Sequence, residues 1–310
     1  MTVRTARFEK AFSHSENGSR DPLVSRGVQR LERLLARVEG SKFLDRAGEI
    51  IGTAFVKVVR PGPFKEFISG SWLAHPVHPM LTDVTIGAWT SATILDVLGG
   101  EKARPGADVL VGIGILSAVP TAVTGLSDLT DIVESEDRSI GTAHALANVS
   151  GLVLWSMSYL ARRTGSRRVG TALSMAGTLV MTGAGFLGGH LSYRRGVGVD
   201  QTTFDPRFGD WTAVMDEADL QVGQPRRVLV SGTSVFLYRT TERIHALANR
   251  CTHRGGPLHK GSIEQERVTC PWHLSTFRLD DGAVVRGPAT APQPVYRVRV
   301  RDGAIEIREP

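Results

Sequence analysis

The sequence predicts an α plus β multidomain chain with an N-terminal helical region, a four-helix transmembrane bundle and a C-terminal all-β domain. Four apolar stretches of helix length fill its middle, and short alternating runs of β-branched residues fill its last third. A helical periodicity of leucines precedes both. We place the three parts at residues 1–70, 71–198 and 199–310.

The N-terminal part is expected to form a basic amphipathic helix between residues 28 and 59. Its apolar residues recur at helical spacing, with arginines on the opposite face; they are Leu31, Leu34, Leu35 and Val38. Such a helix can lie on an anionic membrane surface, cover the C-terminal domain or pair with a neighbour. Residues 1–22 are polar and are expected to be disordered.

The middle of the chain contains four stretches that are each long enough to cross a bilayer, since a spanning helix needs about twenty residues. They are residues 80–99, 106–127, 142–161 and 169–191. Acidic residues such as Asp83 and Asp96 lower the hydropathy of these stretches, so a soluble helical bundle is the alternative. The low charge and the closely spaced Gly185 and Gly189 favour packed membrane helices.

The last third reads as antiparallel β-structure. Short β-branched or alternating runs occur at residues 228–230, 235–238, 244–248 and 295–300. Turn signals separate them, and Asp302-Gly303 between two such runs predicts a hairpin.

Two short motifs use both cysteines of the chain. They are Cys251-Thr-His253 and Cys270-Pro-Trp-His273. Two thiolates and two imidazoles form the ligand set of a [2Fe–2S] centre with two cysteine and two histidine ligands. The alternative is a Cys2His2 zinc site, for which Cys-x-His spacing is unusual.

The surrounding residues resemble the Rieske family over about residues 205–310. The resemblance is carried by Cys-Thr-His-Arg-Gly-Gly-Pro-Leu at 251–258, Cys-Pro-Trp-His-Leu-Ser-Thr-Phe at 270–277 and Gly-Pro-Ala-Thr-Ala-Pro at 287–292. It implies a [2Fe–2S] cluster whose inner iron is held by Cys251 and Cys270, and whose outer iron is held by His253 and His273. It also implies that Ser275 donates a hydrogen bond to a bridging sulfide.

Departures from this family suggest how the cluster is tuned. Gly256 and Trp272 stand near the positions where respiratory members carry a disulfide, so a reducing compartment is expected. Phe277 stands where high-potential members often have tyrosine, and Leu274 replaces a usual glycine. One hydrogen bond to the cluster would then be missing, which predicts a middle reduction potential.

The middle block resembles DUF2231, an uncharacterised bacterial four-helix membrane domain that brings no established function. The motifs are His-Pro-Val-His-Pro-Met-Leu at 75–81, Gly-Gly-His-Leu-Ser-Tyr at 188–193 and Gly-Val-Gly at 196–198.

Four successive spans must cross the membrane in alternating directions. This would place all histidines of the bundle on the side of the membrane that carries the C-terminal domain. His78, His144 and His190 are therefore candidates for a haem b or quinone site, with His144 and His190 the preferred pair and Asp83 a partner for an imidazole. The alternative is a structural role, in which these histidines cap helices or form hydrogen bonds with loops.

These observations favour a membrane-anchored Rieske electron-transfer protein that exchanges electrons with a membrane haem, a quinone or a partner complex. The first alternative is a tethered ferredoxin that serves a soluble oxygenase, and the second is a transporter or sensor with redox input. Whether the chain is itself an enzyme is left open, and no catalytic residue is assigned.

The expected location is a bacterial-type inner membrane, multi-pass, with the Rieske domain on the cytoplasmic side. The basic N-terminal flank and the lack of a secretory signal favour that side. The partners are a redox protein or membrane complex and the lipid bilayer, and a homo-oligomer is allowed. The net charge of +6 does not indicate a nucleic-acid partner, because the sequence contains no nucleic-acid-binding motif.

Overall fold

The computed structural model describes residues 22–310, so the first 21 residues of the predicted N-terminal region, with His14, lie outside the described residues.

Over this range seven α-helices precede ten β-strands, which confirms the α plus β class. The helices are α1 (Pro22–Glu39), α2 (Lys42–Val58), α3 (Pro63–Ser69), α4 (Val77–Leu98), α5 (Gly100–Leu129), α6 (Ser135–Arg163) and α7 (Arg167–Gly189), followed by a π-helical turn at His190–Arg194. The strands are β1 (Thr212–Asp216), β2 (Arg226–Val230), β3 (Thr233–Arg239), β4 (Ile244–Ala248), β5 (Ser262–Glu264), β6 (Arg267–Thr269), β7 (Thr276–Arg278), β8 (Val284–Arg286), β9 (Arg297–Arg301) and β10 (Ala304–Arg308).

The N-terminal segment forms two helices where the sequence predicted one. The break falls at Gly40 and Ser41, and the Ser41 hydroxyl accepts a hydrogen bond of 3.3 Å from the Leu44 amide to cap α2. A side chain on α2, Asp45, accepts a bond of 2.8 Å from Arg138 on α6. The N-terminal helices therefore pack on the start of α6.

The bundle consists of two antiparallel helical hairpins, α4–α5 and α6–α7. Their packing centres on Trp89 and Trp155, whose rings stack with centroids 5.1 Å apart and planes 3° apart. Each indole lies on a glycine of its own hairpin, because a Cβ on Gly114 would overlap Trp89 and a Cβ on Gly177 would overlap Trp155. Glycine at these positions lets the indoles reach the bundle axis.

The two hairpins repeat one pattern of buried residues. In both hairpins a histidine precedes the stacked tryptophan by 11 residues, as His78 precedes Trp89 and His144 precedes Trp155. An 11-residue step is about three helical turns, so both members of each pair lie on one face. Four buried positions of α5 recur in α7 at the same spacings; they are Ala107, Val111, Gly114 and Ala118, and Gly170, Ser174, Gly177 and Met181. The two hairpins of the bundle therefore repeat one packing pattern with approximate twofold symmetry.

Two helical segments, Gly100–Leu129 and Arg167–Arg194, are long and apolar enough to cross a membrane by length and composition. The expectation of four spans is thus not confirmed. In α4 the residues His78, Asp83 and Asp96 lower the hydropathy, and α6 begins with a charged turn that includes Glu136 and Asp137.

The C-terminal domain contains three small antiparallel sheets, with strand orders β1-β10-β9, β2-β3-β4 and β5-β6-β7-β8. The predicted hairpin is confirmed: Asp302 and Gly303 have φ of 50° and 78° and join β9 to β10. One apolar core lies between the first two sheets around Leu237 and Ile305. A second core around Phe236 and Phe277 lies beneath the cysteine loops.

The C-terminal domain contacts the end of the bundle where α4 and α6 begin. Arg195, just after the π-helical turn, bonds to Asp137 at the start of α6. In the connecting segment, the backbone N–H of Gln201 donates a hydrogen bond of 3.0 Å to the backbone carbonyl of Thr252. The segment that leaves the bundle therefore packs directly on the first cysteine loop.

The other end of the bundle is closed by a buried ion cluster. Arg162 on α6 bonds to Asp96 on α4 and, at 3.0 Å, to Asp108 on α5. The side chains of Arg162 and Asp96 are 1% and 2% exposed. Burial of charges is costly unless each one is paired, so this cluster fixes how the two hairpins meet.

Asp96→Ala should lower the free energy of unfolding by about 3 kcal/mol, because it leaves Arg162 buried with one carboxylate fewer. Glu101→Ala breaks the exposed pair with Arg104 and should cost less than about 1 kcal/mol. Thermal unfolding in detergent measures both variants. Equal midpoints for the two would contradict a structural role for the cluster.

Candidate functional site

The four predicted ligands lie on two loops of the C-terminal domain. Cys251 and His253 follow β4, and Cys270 and His273 lie between β6 and β7. Both cysteines are free and only 1% exposed. The imidazole rings of His253 and His273 are 5.0 Å apart between centroids and nearly perpendicular, at 86°. The fold therefore brings the two imidazoles together, and the two cysteine thiols are hydrogen-bonded to each other.

The two ligand loops have the same backbone design. In the first, the Cys251 amide donates to the Gly256 carbonyl at 2.9 Å, and the Gly255 amide donates back to Cys251 at 2.8 Å. In the second, Cys270 makes the equivalent bonds with Ser275 and Leu274, at 2.8 and 3.1 Å. Each loop is thus a closed turn that holds its cysteine rigidly.

The turn requires a left-handed residue, which is Gly255 in the first loop, at φ 74°, and Leu274 in the second, at φ 63°. A left-handed residue other than glycine costs roughly 1–2 kcal/mol. Leucine in a conformation that favours glycine therefore introduces local strain beside His273.

The two cysteine thiols form a hydrogen bond with each other. A hydrogen bond to Cys270, reinforced by burial, raises the pKa of Cys251, whereas the bond from Cys251 lowers the pKa of Cys270 to about 7. The thiolate is the form of cysteine that binds metal. Burial also lowers the pKa of His273 to about 4, which keeps this imidazole neutral at pH 7 and free to be a ligand.

A third loop covers the ligand loops. The Ala289 amide donates a bond of 3.0 Å to the hydroxyl oxygen of Ser275, which is fully buried. This contact uses the serine as an acceptor, so its hydroxyl hydrogen remains available to another acceptor. Ser275 therefore joins the second ligand loop to the covering loop, and its predicted bond to a bridging sulfide stays a prediction.

Gln293 is a supporting residue that the sequence analysis did not identify. Its buried amide donates a bond of 2.7 Å to the carbonyl of Ala248 and accepts a bond of 3.1 Å from the amide of Thr252. It thereby joins the third loop to the first ligand loop. No local sequence motif marks this role, because its partners lie more than forty residues away.

The helical bundle reaches the ligand set through a buried ion pair. Nε2 of His253 lies 3.4 Å from Oδ2 of Asp131, just after α5, and Asp131 pairs at 2.9 Å with Lys65 on α3. Burial alone would raise the pKa of Asp131, but the hydrogen bond with His253 and the Lys65 ammonium hold it well below its usual range. This carboxylate is therefore a fixed negative charge beside a ligand histidine.

A cavity of about 390 Å³ opens beneath His253 and extends into the bundle as far as Trp89. It is lined by His78 and His144. His190 does not line it, because its Nε2 is directed to Glu39 on α1 at 3.2 Å. The structure thus brings His144 together with His78 and separates it from His190. Asp83, proposed as an imidazole partner, is exposed on the outside of α4.

Comparison with known proteins identifies the two domains. A family model described as Rieske [2Fe-2S] domain matches residues 210–297, and one described as Predicted membrane protein (DUF2231) matches residues 74–201. The ligand loops lie inside the first match. The chain belongs to the Rieske [2Fe–2S] family. This membership decides against the zinc alternative and confirms the predicted fusion of a Rieske domain with a DUF2231 domain.

Curated relatives match the Rieske domain. Ferredoxin CarAc of Metapseudomonas resinovorans is 30% identical over 98 residues, which cover 31% of this chain and 92% of the ferredoxin. Apoptosis-inducing factor 3 of Homo sapiens is 32% identical over 96 residues, and the chain spans only 16% of its length. Among solved structures, the ferredoxin of carbazole 1,9a-dioxygenase from Nocardioides aromaticivorans IC177 is 26% identical, with a TM-score of 0.31, over 33% of this chain and all of the ferredoxin.

The ligand residues fit a [2Fe–2S] cluster. Nδ1 of His253 is buried and has no hydrogen-bond partner among the described residues, as expected of an atom that binds iron. Its other nitrogen, Nε2, contacts the Asp131 carboxylate, which is the usual arrangement for a metal-bound histidine. We therefore assign Cys251, Cys270, His253 and His273 as the residues that would hold the cluster.

Gly256→Ala should prevent cluster assembly. A Cβ at this position would lie 2.7 Å from Sγ of Cys270 and 3.1 Å from Cγ of Trp272, which leaves no room for the thiolate to bind iron. Gly209→Ala, where a Cβ would meet nothing within 4 Å, is the matched control. The Rieske EPR signal per chain should be lost in the first variant and kept in the second.

Ser275→Ala should lower the reduction potential of the cluster. A hydrogen bond to a charged acceptor is worth about 1.5 kcal/mol, which corresponds to about 60 mV for one electron. Thr276→Val removes a neighbouring hydroxyl that bonds to Thr269 at 3.0 Å instead, and should leave the potential unchanged. Redox titration followed by EPR measures both. An unchanged potential in Ser275→Ala would remove this serine from the tuning of the cluster.

Proposed function

We propose that this protein is a membrane-anchored Rieske electron-transfer protein that exchanges electrons with a haem, a quinone or a partner complex on the membrane side of its cluster. When bound, the [2Fe–2S] cluster supplies one-electron redox chemistry at a potential raised by its histidine ligands. The observation that carries the proposal is the position of His253. This ligand histidine contacts Asp131 of the bundle and lines the cavity between the two domains.

The outer surface of the bundle supports insertion in a membrane. Large apolar side chains face outward on all four helices, as a bilayer requires and a soluble bundle avoids. Examples, each at least 47% exposed, are Val84 and Ile94 on α4, Val109 and Leu116 on α5, Val153 and Leu160 on α6, and Met175 and Leu179 on α7. On this basis we propose that all four helices span the bilayer, including the two that are too polar to be recognised from composition alone.

We place the Rieske domain on the cytoplasmic side of a bacterial-type inner membrane. The basic N-terminal helices pack on the same end of the bundle as the Rieske domain, and basic flanks tend to remain inside. The opposite end is also rich in arginine, at residues 162–168. However, Arg162 and Arg167 are paired with Asp96 and Asp108, so part of that positive charge is neutralised.

A second candidate is a tethered ferredoxin that serves a soluble oxygenase. One observation favours it: the second ligand loop is partly open to solvent, with Trp272 43% and Leu274 39% exposed. A soluble partner would meet the cluster through this apolar loop, whereas a membrane partner would meet it through His253. The two functions therefore use different sides of one site.

Two variants distinguish these functions in the full chain, reconstituted in liposomes. Ala145→Trp fills the cavity on the membrane side, and Trp272→Ala removes the exposed apolar surface. We measure cluster reduction by a membrane-confined quinol and by a soluble flavoprotein reductase. Membrane-side exchange predicts that Ala145→Trp slows reduction by the quinol about tenfold, a barrier change of ~1.4 kcal/mol, and leaves the soluble donor unaffected. If only Trp272→Ala slows reduction, the tethered ferredoxin is the function.

A further inference from the structure

The duplicated hairpins place two equivalent imidazoles across the cavity beneath the Rieske domain. His78 on α4 and His144 on α6 occupy the same position in the repeat, one in each hairpin. Each packs over a glycine of the partner helix: a Cβ on Gly125 would lie 2.7 Å from Cε1 of His78, and one on Gly188 would lie 3.0 Å from Cε1 of His144. Both hairpins have therefore kept room for an imidazole at this depth.

The two rings are also held in the same way. Nδ1 of His78 donates to the Thr121 carbonyl at 3.0 Å, and Nδ1 of His144 donates to the Ala184 carbonyl at 2.8 Å. Since a carbonyl oxygen only accepts, the proton must be on Nδ1 in each ring. The lone pair of a neutral ring is then on Nε2. The Asn148 amide, which donates to Nε2 of His144 at 3.1 Å, agrees with this assignment.

This arrangement is the one that prepares a histidine to bind a metal. Histidines that bind metals almost always donate their other ring N–H to a carbonyl or carboxylate, which fixes the tautomer and the ring orientation. Side chains that project inward from facing helices are the usual source of cofactor ligands in four-helix bundles. Here the fixed tautomer puts the lone pair on Nε2 of both rings. That of His144 accepts from Asn148, so a metal bound there would displace this amide.

The symmetry and the electrostatics of the cavity select the ligand. Two equivalent imidazoles related by a twofold axis match a flat cofactor with two equivalent faces, and the cavity volume of about 390 Å³ lies in the range for small-molecule cofactors. Trp89 closes the deep end of the cavity. At the Rieske end Arg254 lines it, and the buried Nε of this arginine has no hydrogen-bond partner among the described residues. The carboxylates of Asp128 and Asp200 also line the cavity, and Asp128 lies close to Arg254. Arg254 is the cation there that suits carboxylates at one edge of the cofactor.

We propose that His78 and His144 are the axial ligands of one b-type haem, bound in this cavity with its propionates toward Arg254. The haem is held without thioether bonds, because both cysteines of the chain belong to the Rieske loops. The inference deepens the function proposed above and rests on it: it names the redox group that lies on the membrane side of the cluster.

The test is haem binding by the full-length protein, purified in detergent and titrated with haemin. The expected result is one haem per chain, with the optical and EPR spectra of a low-spin bis-histidine haem. His78→Ala and His144→Ala should each lose this spectrum. His75→Gln and His190→Gln should keep it, because His75 is exposed and His190 is directed to Glu39.

Two measurements separate loss of the haem from loss of the fold. The Rieske EPR signal of each sample reports whether the chain is folded, and its absence in the wild type would instead overturn the Rieske function. His78→Met and His144→Met keep a ligand and should retain haem with a shifted spectrum. Saturation with haemin that produces no low-spin species, or an unchanged spectrum in His78→Ala and His144→Ala, would overturn the proposal. Binding of a quinol in place of haem would overturn it as well.

Discussion

The buried contact among Lys65, Asp131 and His253 is the interaction on which the relation of the two domains depends. Asp131 follows a helix of the bundle, Lys65 comes from a short helix before it, and His253 belongs to the Rieske domain. A carboxylate buried this deeply is stable only while its partners remain in place. The N-terminal region is therefore part of the contact between the domains, because it supplies the cation that balances this charge.

The cluster loops could be predicted because their information is local. Ligand spacing and the left-handed turn position lie within runs of eight residues, and the Asp302-Gly303 hairpin is encoded by two residues. The supporting contacts could not be predicted in this way. Gln293 and Asp131 meet the ligand loops only through folding of distant segments, and neither residue lies in a recognisable motif.

The membrane block shows a different limit of sequence reasoning. Alternation of the helices correctly grouped the histidines at one end, but it did not give the rotation of each helix about its axis. That rotation sends His190 toward α1 and turns His78 into the cavity. The signal that identifies the pair was present as an 11-residue spacing from histidine to tryptophan, repeated once. This spacing could be interpreted only with the structure, in which the stacked indoles show that the two hairpins face each other.

The ion cluster at the far end of the bundle has a consequence for which hairpins can pair with each other. Asp96 and Arg162 occupy the same position in the two hairpins, measured from the stacked tryptophan of each. Two identical hairpins would place two aspartates, or two arginines, against each other in a dry interior, where like charges repel strongly. Opposite charges make each hairpin a match for its neighbour and a poor match for a copy of itself. The opposite charges at this position thus make the bundle an asymmetric pair, in which each hairpin closes on the other hairpin of its own polypeptide.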